Sequence, residues 1–123
     1  MRSSRKTPPS QRSSRRLGPE AEARVRRHYR LRGYRILAAN AWAGGYELDL
    51  VVRRGRAVVV CEVKARSGAG YGSPLEAVGP EKARRVRRAA VAWLALRPEL
   101  ADLDVRFEAV AVEGRRIERA GFD

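Results

Sequence analysis

The chain has 123 residues, which is the size of one domain and excludes a two-domain enzyme. Hydrophobic residues make up 44% of it, enough for a buried core, while the net charge of +13 predicts attraction to polyanions, with nucleic acid first and an acidic membrane surface second. One cysteine and one histidine exclude a disulfide framework, a cysteine-rich zinc site and any site with two histidine ligands.

The first 16 residues differ in composition from the rest, with six basic side chains and no acidic one. They predict a disordered basic arm, which either adds phosphate contacts or is only a solvated tail. Residues 17–123 keep 21 basic and 14 acidic side chains and are predicted to form a single domain. No secretory signal and no apolar run of the ~18 residues that a membrane span needs are visible, so the cytoplasm is the expected compartment.

The first predicted element is a helix. Ala21, Val25 and Tyr29 recur at i, i+4 and i+8, which predicts an amphipathic helix over residues 19–32. Gly33 is typical of the residue that ends such a helix.

Three β-like segments follow the helix. Alternating or β-branched residues predict strands over residues 34–39, 47–53 and 57–64, with a loop over 40–45 and a turn at Arg54-Gly55. The last two strands should therefore form a hairpin.

The second half of the chain repeats helix and strand. A Gly-rich loop over 66–74 leads to a helix over 80–97 and a strand over 105–112, and Ile117 marks a short last strand. The order α-β-β-β-α-β predicts an α/β or α+β sandwich, with α/β as the expected class, in which helices flank a mixed sheet.

Acidic residues and a lysine fall on the two strands of the predicted hairpin. Because side chains alternate along a strand, Glu47, Asp49 and Val51 are expected on one face. Glu62 and Lys64 share a face for the same reason.

The register of this hairpin has two possibilities. A tight turn with Arg53 opposite Arg56 places Asp49 opposite Val60, whereas a small shift places Asp49 opposite Glu62. Either register crowds carboxylates and one ammonium at one end of the hairpin, and like charges facing each other destabilise a sheet.

A divalent cation would relieve that repulsion. Mg²⁺ or Mn²⁺ takes one or two protein carboxylates and completes its shell with water and phosphate oxygens. Glu47, Asp49 and Glu62 are the candidate carboxylates for such an ion, and Lys64 would orient a water or stabilise the charge of a phosphodiester under attack. The alternative, which the spacing alone favours, is an exposed strand face with cross-strand ion pairs.

Glu22 is the candidate fourth member of this group. It borders the apolar face of the first helix, and an inward carboxylate needs a partner such as Lys64, a metal-bound water or an arginine. The alternative is a surface ion pair with Arg26, four residues along the helix.

Basic residues of the second helix, together with one after the third strand, are the candidate nucleic-acid contacts: Arg66, Lys82, Arg84, Arg87 and Arg88. Arg84, Arg87 and Arg88 are expected on one exposed face. The alternative is a solvated basic face. No base-reading motif is visible, so we expect recognition of the backbone or of shape.

Four single residues complete the predictions. Trp42 either stacks on a base or packs against the sheet, and packing is the expected outcome. Trp93 and Cys61 are predicted to be core residues, and His28 is predicted to lie on the helix surface.

Several of these residues occur in motifs that resemble the bacterial YraN-like family, whose members typically read G-E-I-D-L-I, F-V-E-V-K-x-R and F-G-x-P-x-E-A-V. The matching segments are YELDLV at 46–51, VCEVKAR at 60–66, YGSPLEAV at 71–78 and then Lys82, with Gly18, Glu22 and Gly33-Tyr34 upstream. Tyr46 departs from the usual glycine, although Gly44-Gly45 precede it.

That family is similar to the PD-(D/E)xK nuclease superfamily and to archaeal Holliday-junction resolvases. The resemblance implies a restriction-endonuclease-like αβββαβ core over residues 17–123. It also implies that Asp49 and Glu62 are the metal-binding acids, Lys64 the catalytic lysine and Glu22 the helix carboxylate.

The function implied by the resemblance is metal-dependent hydrolysis of DNA phosphodiester bonds, with branched or flapped DNA as possible substrates. A homodimer is a further expectation, since two symmetric cuts in a junction need two sites. One alternative is a nucleic-acid-binding protein of the same fold without turnover, and another is a charge-driven role at a protein or membrane surface.

Overall fold

The computed structural model describes residues 18–66 and 72–122. Two helices, α1 (Pro19–Leu31) and α2 (Pro80–Ala95), pack on opposite faces of a five-stranded sheet. The strands are β1 (Arg35–Ala43), β2 (Tyr46–Arg54), β3 (Ala57–Ala65), β4 (Asp104–Glu113) and β5 (Arg116–Phe122), and 3-10 turns at Pro74–Ala77 and Pro98–Leu100 flank α2. The predicted arm 1–16 and residues 67–71 of the Gly-rich loop lie outside the described residues. Among those described, no helix is long and apolar enough to cross a membrane.

Local sequence explains where the helices begin and end. Pro19 and Pro80 occupy first-turn positions, where the missing N–H would have no helical partner. Glu20 and Glu22 lie in the first turn of α1, where carboxylates favour the helix dipole. Gly33 follows α1 with φ of +88°, a conformation that side chains disfavour.

The sheet is mixed, as predicted. The strands lie in chain order from β1 to β5, and every neighbouring pair is antiparallel except β3 and β4. The parallel pair needs a crossover, and α2 lies in it. The predicted α/β fold is confirmed, and the arrangement is consistent with a restriction-endonuclease-like core.

Two strand boundaries differ from the prediction. Residues 40–43, predicted as loop, extend β1, because Ala41 and Ala43 pack against the core on the α2 side. Gly44 lies so close to α2 that a Cβ would come 3.1 Å from the Cα of Ala89. The segment around Ile117 is a full strand of seven residues rather than a short one.

The β2–β3 hairpin adopts the shifted register. Arg54 pairs with Ala57, so the turn is Gly55-Arg56, and the predicted pairing of Arg53 with Arg56 is wrong. Gly55 has φ of +60°, which suits a two-residue hairpin turn. The described pairing ends where Leu50 meets Cys61, one residue before Asp49 and Glu62.

The faces of β1 and β2 reverse near Asp49. Asn40, opposite Asp49 in the β1–β2 pairing, has φ of +53°, and a left-handed residue interrupts alternation. Leu48 and Val51 both pack on the α2 side, whereas Leu50 packs on the α1 side. The expectation that Asp49 and Val51 share a face is therefore wrong.

A group of polar side chains joins α1 to the last two strands, and we call it the Arg119 network. The guanidinium of Arg119 donates to both carboxylate oxygens of Glu108, at 2.9 and 3.1 Å. The Tyr29 hydroxyl donates to Glu108 Oε1 at 2.7 Å and accepts from the Cys61 thiol at 3.3 Å. Tyr29 and Cys61 are fully buried, as was predicted for Cys61.

Burial and hydrogen bonding set the ionisation of this network. Burial raises the pKa of Cys61 and of Tyr29, so both stay protonated at neutral pH. Burial would also raise the pKa of Glu108, but hydrogen bonds from Arg119 and Tyr29 hold it below its usual value. Glu108 is therefore the fixed negative charge to which Arg119 binds.

His28 is part of this network. The sequence predicted only a residue on the helix surface. It is half-buried, and its Nε2 lies 3.4 Å from Arg119 Nη1. An arginine has only donors, so Nε2 must be the unprotonated acceptor. Burial and the nearby Arg32 and Arg119 charges lower the pKa of His28.

We expect the free energy of unfolding to fall as the pH drops below about 6.5, because the unfolded chain then binds a proton that folded His28 resists. Well above about pH 6.5, His28 is unprotonated in both the folded and the unfolded chain, so it should no longer make the free energy of unfolding depend on pH. Since the chain has one histidine, the variant His28→Gln should flatten the profile between about pH 5.5 and 7. Urea unfolding across that range measures the free energy of unfolding of both proteins. Parallel pH profiles of the two proteins would show that His28 is not the cause of the pH dependence.

Candidate active site

Asp49 lies where β2 leaves β3. The described pairing of the two strands ends at Leu50 and Cys61, and the next donor on β3, the Val63 N–H, binds Asp49 Oδ2 at 2.7 Å. A carboxylate side chain thus takes the place of a backbone carbonyl as acceptor, in a charge-assisted hydrogen bond. This bond holds the Asp49 carboxylate at the splayed end of the hairpin.

A small cavity opens beside Asp49 on the α1 side of the sheet. It has a volume of about 40 Å³, and its polar lining residues are Glu22, Arg26, Asn40 and Asp49. A buried water needs roughly 10–15 Å³ of such space, so a few waters or one ion would fit. The structure therefore brings Glu22 and Asp49 to one cavity, together with the arginine that was the alternative partner of Glu22.

Glu62 points to the other side of the sheet, toward α2. Its carboxylate is buried, and the Tyr46 hydroxyl donates to Oε2 at 3.2 Å. The Lys82 ammonium lies 3.5 Å from the same oxygen. A buried carboxylate is costly without such partners, so the contacts with Tyr46 and Lys82 offset the burial of Glu62.

These contacts give two residues an importance that the sequence did not show. Lys82 was expected to contact nucleic acid, but its ammonium is directed at Glu62. Tyr46 was noticed only as a departure from glycine, and that departure is the one sequence signal that singles it out. Its ring packs against the core on the α2 side, which directs the hydroxyl to Glu62.

Lys64 and Glu47 lie near these acids. Lys64 follows Glu62 by two residues on β3, hence on the same face, and is half-buried. Glu47 is half-buried and pairs with Trp42 of the neighbouring strand β1. Over residues 18–66 and 72–122, no three Asp, Glu, His or Cys side chains come close enough together to form a ready-made metal site.

Trp42 is exposed, not packed. Half of its surface is accessible, and the neighbouring Ala41 and Ala43 take the positions that face the core. The expectation that Trp42 packs against the sheet is therefore wrong. Trp93 is buried on α2, as predicted.

Arg66 closes the loop that follows β3. Its guanidinium donates to the carbonyl oxygens of Gly72 at 2.9 Å and Ser73 at 2.6 Å. Its backbone N–H donates to Val112 on β4 at 2.8 Å. Arg66 therefore connects the end of β3 to Gly72, Ser73 and β4, and its predicted contact with nucleic acid stays a prediction.

The basic residues of α2 do not all share one face. Arg84 and Arg88 are exposed, and Arg85 pairs with Glu81 at 3.2 Å. Arg87 is half-buried and turned toward β4 and β5, since it lines a groove with residues of those strands. The expectation that Arg87 is on the same exposed face as Arg84 and Arg88 is wrong.

Comparison with known proteins places the candidate residues inside a shared sequence pattern. The model of the uncharacterised protein family UPF0102 matches residues 21–112. A UPF0102 protein of Acidothermus cellulolyticus is 43% identical over 109 residues, 81% of this chain and 83% of that protein. One from Parvibaculum lavamentivorans is 47% identical over 104 residues, 85% and 77% of the two chains. One from Paramagnetospirillum magneticum is 42% identical over 118 residues, 91% and 90%.

Proposed function

The chain belongs to the UPF0102 family, and we propose that it is a metal-dependent endonuclease that hydrolyses phosphodiester bonds of DNA, with branched or flapped DNA as its substrates. The observation that carries the proposal is the end of the β2–β3 ladder. Asp49 and Glu62 adjoin the last described pair of that ladder, and Lys64 follows Glu62 two residues later. Carboxylates and an ammonium are the groups that such hydrolysis needs, although Asp49 opens to the α1 side of the sheet and Glu62 faces the α2 side.

Carboxylates at this end are the groups that would bind a divalent cation. Glu62 faces the α2 side, where the Lys82 ammonium lies 3.5 Å from its carboxylate, so a cation shared with Asp49 would have to displace Lys82. Carboxylate oxygens are the ligands that Mg²⁺ and Mn²⁺ prefer, and Mg²⁺ needs only one or two of them. Asp49 and Glu62 would hold the ion, which when bound supplies polarisation of the phosphate and a lower pKa of water.

The chain's own side chains have separate roles in this proposal. Lys64 stabilises negative charge that develops on the phosphate. Glu22, which shares the cavity with Asp49, orients the attacking water and accepts its proton. Glu47, on the same strand as Asp49, is the additional acid at the opening.

The partner expected from the charge is DNA. Residues 17–123 carry 21 basic against 14 acidic side chains, and exposed Arg84 and Arg88 would contact phosphates along α2. Two symmetric cuts in a junction would require two copies of the chain, so a homodimer is part of the proposal.

A second candidate function is nucleic-acid binding without turnover. The contact between Lys82 and Glu62 favours it, because an ammonium already neutralises one of the two metal-binding acids. In this case Mg²⁺ would change neither binding nor stability.

Cleavage of labelled single-stranded, flapped and four-way-junction DNA with Mg²⁺, Mn²⁺ or EDTA tests the proposal. We expect metal-dependent cleavage by the wild type and a loss of about a hundredfold or more in Lys64→Ala, because removal of one group that stabilises the transition state has that effect. The control is Arg115→Ala, which removes one positive charge at an exposed position in the β4–β5 turn. This variant should cleave DNA at the wild-type rate. Salt-sensitive binding without cleavage under either metal would favour the second function.

A further inference from the structure

A groove of about 570 Å³ lies on the α2 side of the sheet, at the start of β4 and the end of β5. Its lining combines two arginines with two aromatic rings: Arg87, Arg106, Phe107 and Phe122, beside Val105 and Gly121. It shares no residue with the candidate active site.

The groove lies where the described pairing of β4 and β5 ends. The described pairing of β5 ends where Phe122 meets Phe107, so Val105 and Arg106 continue beyond it. The two phenyl rings lie 5.7 Å apart at a tilt of 41°, and both are only half-buried. Each ring packs on the core with one side, which fixes its position in the wall of the groove.

The lining has the chemistry of a single-stranded nucleic-acid site. Aromatic rings offer a surface on which any base can stack, and arginines bind the phosphates between bases. Arg87 approaches the rings from α2, and exposed Arg106 lies at the rim of the groove, between Val105 and Phe107 on β4. A second copy of the chain fits poorly, because a two-fold contact would bring the arginines of both copies together.

The position of the groove suits a strand that also reaches the candidate site. Val60 pairs with Phe107 between β3 and β4, and Lys64 lies four residues further along the same face of β3. At about 3.3 Å per residue this is roughly 13 Å, a distance that a few nucleotides of one strand would span.

We propose that this groove binds an unpaired, single-stranded segment of the nucleic-acid substrate, with a base against Phe122 and phosphates at Arg106 and Arg87. The inference rests on the proposed function, because it assigns the flap or loose strand of the substrate to this groove. A fully paired duplex would gain little from the groove, since its bases are already stacked on one another.

The test is fluorescence anisotropy of labelled oligodeoxythymidine and of a labelled duplex, in EDTA, with intact wild type and variants. We expect Phe122→Leu, which keeps an apolar side chain but loses the ring face, to weaken oligodeoxythymidine binding about tenfold and duplex binding much less. Arg106→Gln should weaken it too and lower the salt slope by about 0.7. Arg115→Gln, at the other end of β4, is the matched control and should keep the wild-type preference between the probes.

The outcomes separate this inference from the proposed nuclease. If the wild type cuts DNA but Phe122→Leu and Arg106→Gln bind oligodeoxythymidine as Arg115→Gln does, the groove assignment is wrong and the nuclease stands. If no DNA is cut but both variants selectively lose binding of oligodeoxythymidine, the groove assignment is supported and the proposed nuclease is not. A drop in oligomeric mass of Phe122→Leu in light scattering, without loss of oligodeoxythymidine binding, would make the groove a contact between copies and overturn the inference.

Discussion

Asp49→Asn should lower the rate of metal-dependent DNA cleavage about a thousandfold while leaving the fold intact. The loss corresponds to about 4 kcal/mol of transition-state stabilisation, the amount that weakened metal binding would remove. The fold should survive because the asparagine amide oxygen can still accept the hydrogen bond that Val63 N–H donates to Asp49. Single-turnover cleavage and urea unfolding of the same preparation measure the two effects.

A comparison with Asp49→Ala separates chemistry from structure. Alanine removes the acceptor, and a buried N–H left without one costs about 1–3 kcal/mol of stability. We therefore expect Asp49→Ala to lose both activity and stability, whereas Asp49→Asn loses activity alone. Asp102→Asn, an exposed aspartate beyond α2, is the control and should change neither. Full cleavage by Asp49→Asn would remove Asp49 from the metal site.

The arrangement of elements was predictable because each signal was local. Proline at the helix starts, glycine after α1 and the β-branched run of β3 each restrict the backbone of their own segment. The order of helices and strands then left few mixed sheets to choose from. The same local signals predicted only a short last strand at Ile117, because the large apolar residues of β5 are Ile117 and Phe122 alone and the strand is stabilised by pairing with β4.

The details of the candidate site depend on geometry that no local pattern encodes. Asn40 has a positive φ, and the resulting reversal of faces places Leu48 and Val51 on one side although their positions differ by three. Strict alternation therefore misplaced Val51. The position of Asp49 and Glu62 next to the last described pair was within reach, but only through the shifted register of the hairpin.

Contacts between residues far apart in the chain were the second feature of the site that the sequence did not predict. Lys82 lies on the crossover helix, and its spacing on that helix says nothing about Glu62, twenty residues away along the chain. Tyr46 reaches the same carboxylate from β2. A basic residue on an amphipathic helix predicts a charged rim, and only the packing of α2 on the sheet decides which acid it meets.

Arg119→Leu should lower the free energy of unfolding by about 3 kcal/mol, the largest loss of stability that we expect from one polar side chain. The substitution leaves Glu108 with the Tyr29 hydroxyl as its partner in the Arg119 network. Both side chains are about four-fifths buried, with 22% and 19% of their surfaces accessible, so water replaces the lost guanidinium poorly. Arg119 also lies over the ring of Tyr29, at 4.7 Å from its centre, and that contact is lost too.

The pH dependence distinguishes this loss from ordinary loss of packing. In the wild type the pKa of Glu108 is lowered, so its contribution is present above the usual carboxyl pKa and is lost as the pH falls through the lowered value. Arg119→Leu lacks that contribution at every pH, because burial without the arginine favours protonated Glu108. The stability difference between the two proteins should therefore be largest near neutral pH and shrink below about pH 4.

A double-mutant cycle tests whether Arg119 stabilises the fold through Glu108 or through packing. Glu108→Leu alone leaves Arg119 as a buried charge, whereas the double variant leaves neither charge behind. The double variant should therefore be more stable than the sum of the two single losses predicts, by about 1–3 kcal/mol. Additive losses that do not change with pH would mean that Arg119 stabilises α1 through its aliphatic stem and its contacts with the rings of Tyr29 and Tyr34, and not through Glu108.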